Sequence, residues 1–585
     1  MPHLHFGRPC ATSHGSGEPR LPLISLTSHR IPFAGVLLCA LFVAYFYMLD
    51  RVLFSSAHFS PIFRLLLTVY DSRTAWLALA ICLLAALWNR PAPIARLVGL
   101  FGQHPHAVAL ASGALIALGA IAVYHDYPFS MDEYAAVFQS KIFASGRLFA
   151  QLPRNLIDWL VVRGFNGSFL IASPETGKAI EQYWPGFALL LAPFEFLKVP
   201  WLCNAWLAGL AIFLIHWITK EITGDRPAAG WALLFTVASG AFVADALSYY
   251  SMQAHLTANL LYVALLLKPS RCRVMGAGLI GSLALILHNP VPHTLFAVPW
   301  IVAMMMDRDQ RRYLLPLMLG YLPGVGVGLG WLMFRSDIAS ATHGASAVSG
   351  VASGVFGWPD STLLNMRAAA LAKMWLWAVP CVFVFALLGR FRHRDNRHVR
   401  LLMQSAVLTF IGYLFVRFDQ GHGWGYRYFH SAWGAIPIMA GCAMTGRSDA
   451  QQRLVSFAGA AAILNLVVVM PFQMHEISEV ISQHLAQLPP PKRPGNNVYF
   501  IHPRNGFYVA DMVQTDPLLR NRDLLLASRG AQLDTQLIRQ NWPSAVKIAS
   551  GGAADQWYLG PQDQRLPIPG KRDQQNFVFA PDPIP

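Results

Sequence analysis

Residues 124–148, YHDYPFSMDEYAAVFQSKIFASGRL, follow directly on a long apolar run and carry the chain's densest group of chemically able side chains. Tyr134, Val137, Phe138 and Ile142 keep the three-to-four spacing of one helical face. The spacing predicts a helix lying along a membrane surface, ended by Gly146. Ser130-x-x-Glu133 fits a capping box, which gives Glu133 an ordinary structural role. Asp132 is not needed by that cap, although its charge suits a helix N-terminus. An aspartate at the mouth of a helical bundle is well placed as a base or a metal ligand.

The residues around this loop explain why it sits at a membrane. Of 585 residues, 55% are hydrophobic and only 13% charged, about half the charge of an ordinary soluble protein. Mean hydropathy is +0.40. The apolar residues fall in runs at 31–49, 74–89, 105–124, 200–219, 229–248, 253–267, 275–288, 293–306, 313–334, 368–389, 400–417, 431–446 and 454–471. These predict an α-helical polytopic membrane protein with about thirteen transmembrane helices. Trp184 to Leu197 is also apolar but reads as a short interfacial or re-entrant helix.

Charge orders these spans. Arg90 and Arg96, Lys220 and Arg226, Arg271 and Arg273, Arg308 to Arg312, Arg390 to Arg400, and Arg447 and Arg453 all fall in alternate loops. By the positive-inside rule these loops and the N-terminus are cytoplasmic. Arg51, Arg64 and Arg73 are mild exceptions. The loop 124–183 and the C-terminus then lie on the exported, periplasmic side of a bacterial inner membrane. The formal charge of +15 is read as this topology signal and not as nucleic-acid binding, for which no motif is present. The seven cysteines fall in spans or on the cytoplasmic side, so no disulfide framework is expected.

Residues 1–30 read as a cytoplasmic tail, 31–471 as the membrane domain and 472–496 as a linker with a proline-rich run at Leu488 to Pro494. Residues 497–585 read as a small periplasmic α/β domain. Strands are expected at Asn497 to Ile501, Asp523 to Ala527 and Ala545 to Ile548, with a helix at Gln532 to Gln540. Asp307-Arg308-Asp309 lies in a short cytoplasmic turn and reads as a topology signal. The alternate glycines Gly324 to Gly330 lie inside a span and read as helix packing.

The pattern DEYAAVFQSKIFASGRL, placed after the first spans, resembles the first exported loop of GT-C membrane glycosyltransferases. It is closest in character to bacterial protein O-mannosyltransferases and aminoarabinose transferases, the family 39-like group. Tyr183-Trp184-Pro185-Gly186-Phe187 resembles the aromatic-proline segment that ends that loop, although the familiar form is Tyr-Pro-Pro. Ser248 to His255, His288-Asn289-Pro290 and Trp424-Gly425-Tyr426-Arg427-Tyr428 resemble later exported motifs. The likeness runs over about residues 30–470.

The resemblance implies transfer of a sugar from a polyprenyl-phosphate donor to a lipid, glycan or protein acceptor on the periplasmic face. The acceptor must lose a proton, which a carboxylate can take. The leaving phosphate needs charge stabilisation, which an arginine fork or a divalent metal cation supplies. Asp132 is therefore the candidate base or metal ligand, with Glu133 in support. Arg427 is the first candidate for the donor phosphate, ahead of Lys141 and Arg147. Glu181, His255 and His288 are candidates for a metal. Tyr183, Trp424, Tyr426 and Tyr428 are candidates for the substrate path. Two other readings stand beside this one. An O-antigen ligase or polymerase would depend on arginines in a late loop. A transporter would need acidic residues deep in the spans, of which Asp245 is the best example.

Overall fold

In the structure, a computed structural model, each of the thirteen apolar runs falls on helix. The structure describes residues 23–52, 61–340, 356–417, 421–445, 449–490 and 495–561. Most of the expected N-terminal tail, and Pro491 to Pro494 of the linker, lie outside them. Among the described residues six helices are long and apolar enough to cross a membrane. The count is seven if Arg226–Val237 and Gly240–Leu247, bent by 60° at their junction, form one span. The chain is thus a membrane protein. The other six runs form helices of 9 to 18 residues. One cause is breakage: the 368–389 run is split into Ser361–Leu376 and Val382–Arg392, with Cys381 left-handed at φ 66° between them. The six described cysteines that could have paired are all free.

Small residues let helices approach closely. A Cβ on Gly324 would sit 2.4 Å from the Ser282 carbonyl oxygen, and one on Gly320 would sit 2.7 Å from Gly278 Cα. This tight contact joins the Arg271–Ile286 and Leu314–Ser340 helices, although Gly326 and Gly330 face open space. Buried polar pairs tie the bundle together elsewhere. Lys373 Nζ lies 2.7 Å from Asp71 Oδ2, with both side chains shielded. Trp377 donates its indole N–H to Asp71 over 2.7 Å. Asp245 is likewise paired, 2.9 Å from His430 Nδ1. Each carboxylate has a partner inside the bundle, which low-polarity surroundings require.

The loop between the Pro105–Ala122 and Leu202–Thr223 helices carries its own structure. It holds the Met131–Ala144 helix and an antiparallel sheet of β1 (Ala150–Gln151), β2 (Leu170–Ala172) and β3 (Lys178–Glu181), in the order β1-β3-β2. Gly186–Phe196 follows as an 11-residue helix, about 16 Å long and so too short to cross a bilayer. A hairpin of β4 (His422–Gly423) and β5 (Gly425–Tyr426) leads into a single helical turn, Arg427–His430.

The C-terminal unit is a four-stranded sheet of β6 (Asn496–Ile501), β7 (Asp523–Ala527), β8 (Val546–Ser550) and β9 (Ala554–Gly560), ordered β7-β6-β9-β8. Strands β6 and β7 are parallel and the other pairs antiparallel. The helix Ala531–Asn541 connects β7 to β8. Strand β9 is an addition to the sequence reading. Every residue of β6 is buried, as its continuous NVYFI run implies. Val498, Phe500, Leu524 and Leu526 pack in one core with Met131, Tyr134 and Phe138. The sheet and the loop helix therefore share one apolar core.

Candidate active site

The local sequence builds the first half of the site. Glu133 reaches back to the Ser130 N–H at 3.0 Å, closing the capping box at the start of the Met131–Ala144 helix. Its other oxygen accepts the Tyr249 N–H at 3.0 Å. Gly146, at φ +73°, stops the chain just past the helix end, where a left-handed residue costs glycine least. Glu133 is fully buried. Burial pushes its carboxyl up to about 7, against the lowering pull of the Tyr249 N–H, Tyr124, the Ser130 N–H and Arg427. The structure thus uses Glu133 as a cap and a tie to the Tyr249 turn.

Asp132 points the other way. Its Oδ1 accepts a hydrogen bond from the Tyr183 hydroxyl. Its Oδ2 lies 3.4 Å and 3.5 Å from the two terminal nitrogens of Arg427. Asp132 and Arg427 are 295 residues apart in the chain. Both contacts are longer than an ideal N–H···O bond, so this is a loose ion pair and not a closed fork. Each side chain keeps a little exposure, 15% for Asp132 and 9% for Arg427.

Arg427 is held from behind. Its guanidinium carbon stands 4.0 Å from the centroid of the Tyr250 ring, a cation–π contact. The Tyr250 hydroxyl is 2.7 Å from Ser130 Oγ, which links the arginine's support back to the capping residue. His430, one turn on, is anchored by Asp245 and by Gln253 Oε1 at 3.1 Å. Tyr249-Tyr250 was legible in the sequence only as a turn. Its role beneath Arg427 was not.

The C-terminal unit supplies the third side. Asp511 Oδ1 accepts the Met131 N–H at 2.8 Å, immediately before Asp132. Gln514 donates to the Pro128 carbonyl over 2.6 Å, and the Tyr134 hydroxyl donates to the Thr515 carbonyl. Tyr508, left-handed at φ 59°, packs 5.3 Å from the Phe129 ring. Further out, Arg529 pairs with Asp158 at 2.7 Å and lies over the Trp159 ring. No sequence signal marked Asp511, because a lone Asp in a soluble-looking tail has many ordinary uses.

Two consequences can be measured. Asp511→Ala removes a buried carboxylate from a backbone N–H and should cost about 2 kcal/mol, seen as a lower unfolding temperature in detergent. Asp511→Asn, which keeps an oxygen acceptor, should recover most of it. The second consequence concerns pH. Burial raises Asp511 to about 7, with the neighbouring Asp132 and Glu133 charges adding to it and the Met131 N–H opposing. Glu133 is raised to about the same value. The folded state thus binds protons that the unfolded chain has released between about pH 4 and 7. Stability from these groups is complete below that window and is lost as pH rises through 7. Stability should fall from pH 5 to pH 8 by at most about 3 kcal/mol per group, read as a falling unfolding temperature, and the fall should flatten in a Glu133→Gln/Asp511→Asn variant.

The remaining candidates are distributed differently. Lys141 acts on Asp126 and Glu195, and Arg147 is exposed past the helix end. Neither joins Arg427, because Lys141 lies more than two turns further along the helix than Asp132. Tyr183 belongs to the site, and its ring sits 4.1 Å from the His288 ring. Trp424 and Tyr426 are buried in aromatic packing: Trp424 lies 6.4 Å from Phe129 and 6.3 Å from Trp377, and Tyr426 lies 5.5 Å from His422. Tyr428 stacks on Tyr413 at 4.6 Å.

Glu181, His255 and His288 do not form a group of three around a common point suited to a metal among the described residues. Glu181 ends β3 and is buried, with Arg335 as the cation that offsets its charge. His255 is fully buried in the Met252–Leu266 helix with neither ring nitrogen hydrogen-bonded. No group of three or more His, Cys, Asp or Glu side chains suited to a metal forms among the described residues. Glu181, His255 and His288 therefore do not make a fitting metal centre.

No protein-family model matches the chain, and no curated protein matches it. Among solved structures, two of ArnT from Cupriavidus metallidurans are matched. The one bound to undecaprenyl phosphate shares 12% identity, covering 78% of this chain and 99% of that one at a TM-score of 0.47. The apo state gives 12% identity, the same two coverages of 78% and 99%, and a TM-score of 0.44.

Proposed function

We propose that the protein is a GT-C-type membrane glycosyltransferase. It moves a sugar from a polyprenyl-phosphate donor to a lipid, glycan or protein acceptor on the periplasmic face of a bacterial inner membrane. The observation that carries this reading is the meeting of Asp132 with Arg427 and Tyr183 at one end of the bundle. A proton acceptor and a phosphate-binding cation are the two groups such a transfer needs.

In this reading the donor phosphate takes the guanidinium fork, for which the loose contact to Asp132 is easily exchanged. Tyr250 keeps the guanidinium plane in position during that exchange. An acceptor O–H then attacks the anomeric carbon. A new C–O bond forms, the bond from that carbon to the phosphate oxygen breaks, and the acceptor proton passes to Asp132. The leaving polyprenyl phosphate gains one negative charge, which Arg427 offsets. The Tyr183 hydroxyl holds the Asp132 carboxylate in one orientation. The arginine-bearing loops favour the opposite, cytoplasmic placement for the other end of the bundle.

The test is genetic. The gene is deleted in its host and restored as wild type or as Asp132→Asn at matched membrane levels. Lipid-, glycan- and protein-linked sugars are then profiled by mass spectrometry. One sugar mass should vanish on deletion and return only with wild type, and that mass identifies the donor and the acceptor. Full restoration by Asp132→Asn would remove Asp132 from catalysis.

A further inference from the structure

A groove of about 810 Å³ runs between the Val291–Met306 and Arg397–Leu414 helices. We propose that it is a binding site for one anionic phospholipid, with an acyl chain along the groove and the headgroup at its arginine end. Val298, Val302, Val407 and Ile411 form the walls, and these four side chains stay 36% to 46% exposed.

The two helices of the groove are hydrogen-bonded to each other on their inner sides. Ser405 Oγ donates to the Phe296 carbonyl at 2.7 Å and accepts the Trp300 indole N–H at 3.1 Å. Arg397 closes one end, 2.7 Å from Asp307 Oδ2 and 3.1 Å from the Ala303 carbonyl. This end is opposite the catalytic site. The other end of the first helix follows His288, which touches Tyr183, and the second helix ends beside Tyr413, which stacks on Tyr428.

The charge at the closed end names the occupant. Arg397 is committed to Asp307, whereas Arg400 lines the groove, is exposed and has no ion-pair partner among the described residues. Arg308, Arg311 and Arg312 lie in the adjoining turn; with Arg397 and Arg400 they set five positive charges against Asp307 and Asp309, a net +3. Basic pockets between helices at a membrane surface favour anionic headgroups. Arg400 and Ile411 are eleven residues apart, about 16 Å of helix. One leaflet's share of a ~30 Å hydrocarbon core is about 15 Å, so the apolar walls match the depth an acyl chain reaches below its headgroup.

The site is separate from the transfer chemistry and stands whether or not the transferase reading does. The full-length protein is loaded in nanodiscs with equal amounts of a phosphatidylglycerol and a phosphatidylcholine of the same chains, and retained lipid is read by native mass spectrometry. The phosphatidylglycerol should be retained about fivefold over the phosphatidylcholine. Arg400→Gln, at an exposed position, should abolish that preference. Val407→Trp should fill the groove and remove the adduct itself. Equal retention of both lipids by the wild type, a preference that survives Arg400→Gln, or an adduct that survives Val407→Trp would each overturn the site.

Discussion

Asp132→Asn is expected to lower sugar transfer by about a hundred- to ten-thousand-fold, with the protein present in the membrane at its normal level. The substitution keeps the shape of the side chain. Its amide oxygen can still accept the Tyr183 hydroxyl hydrogen. What it loses is the capacity to take the acceptor's proton, and with it the charge opposite Arg427. That pair is loose and partly exposed, so its loss should move the unfolding temperature little. The effect should fall on kcat, because the donor still meets Arg427. Initial rates with purified protein and a lipid-linked donor check this, and a variant that keeps more than a tenth of the wild-type rate would exclude Asp132 as the base.

Arg427→Ala should be comparably severe, about a hundred- to a thousand-fold. Here the loss should appear in donor KM as well as in kcat, since the same group binds the ground-state phosphate and the charge that grows on it. Arg427→Lys separates charge from shape. An ammonium keeps the charge but cannot present two parallel donors or lie flat on the Tyr250 ring. It should recover only part of the rate. Full recovery by Lys would mean that charge alone matters and that the cation–π seat at 4.0 Å is incidental. Donor-titrated kinetics of the two variants distinguish the cases.

Much of the fold was legible because it depends on neighbours in sequence. Apolar runs had to become helices, since a backbone in hydrocarbon must satisfy its own hydrogen bonds. The Ser130–Glu133 cap and the Gly146 stop are each decided within about one turn of helix. The strands at Asn496–Ile501 and Asp523–Ala527 followed from short apolar runs. Strand β9 was missed because Ala554 to Gly560 mixes polar and aromatic residues in a pattern too short to show a period. Helix length was the least legible property. Breaks such as those at Cys381, just after Pro380, and between Val237 and Gly240 fall inside runs whose apolar composition is continuous.

The site shows the same division. Asp132 and Glu133 could be singled out by residue type and place in the chain, Arg427 and Tyr183 by the family resemblance. Glu133 then proved to be spent on the cap and the Tyr249 N–H, and Lys141 and Arg147 turned elsewhere. What the sequence by itself determined is the helix that presents Asp132, through caps and periodicity acting over a few residues. Only the tertiary structure decided that Arg427 would face it across 295 residues, that Tyr250 would lie under the guanidinium, and that Asp511 would grip the Met131 N–H. The reason is physical: such meetings come from how the helices and the C-terminal sheet pack, which depends on the summed fit of many side chains and leaves no fixed spacing in the chain.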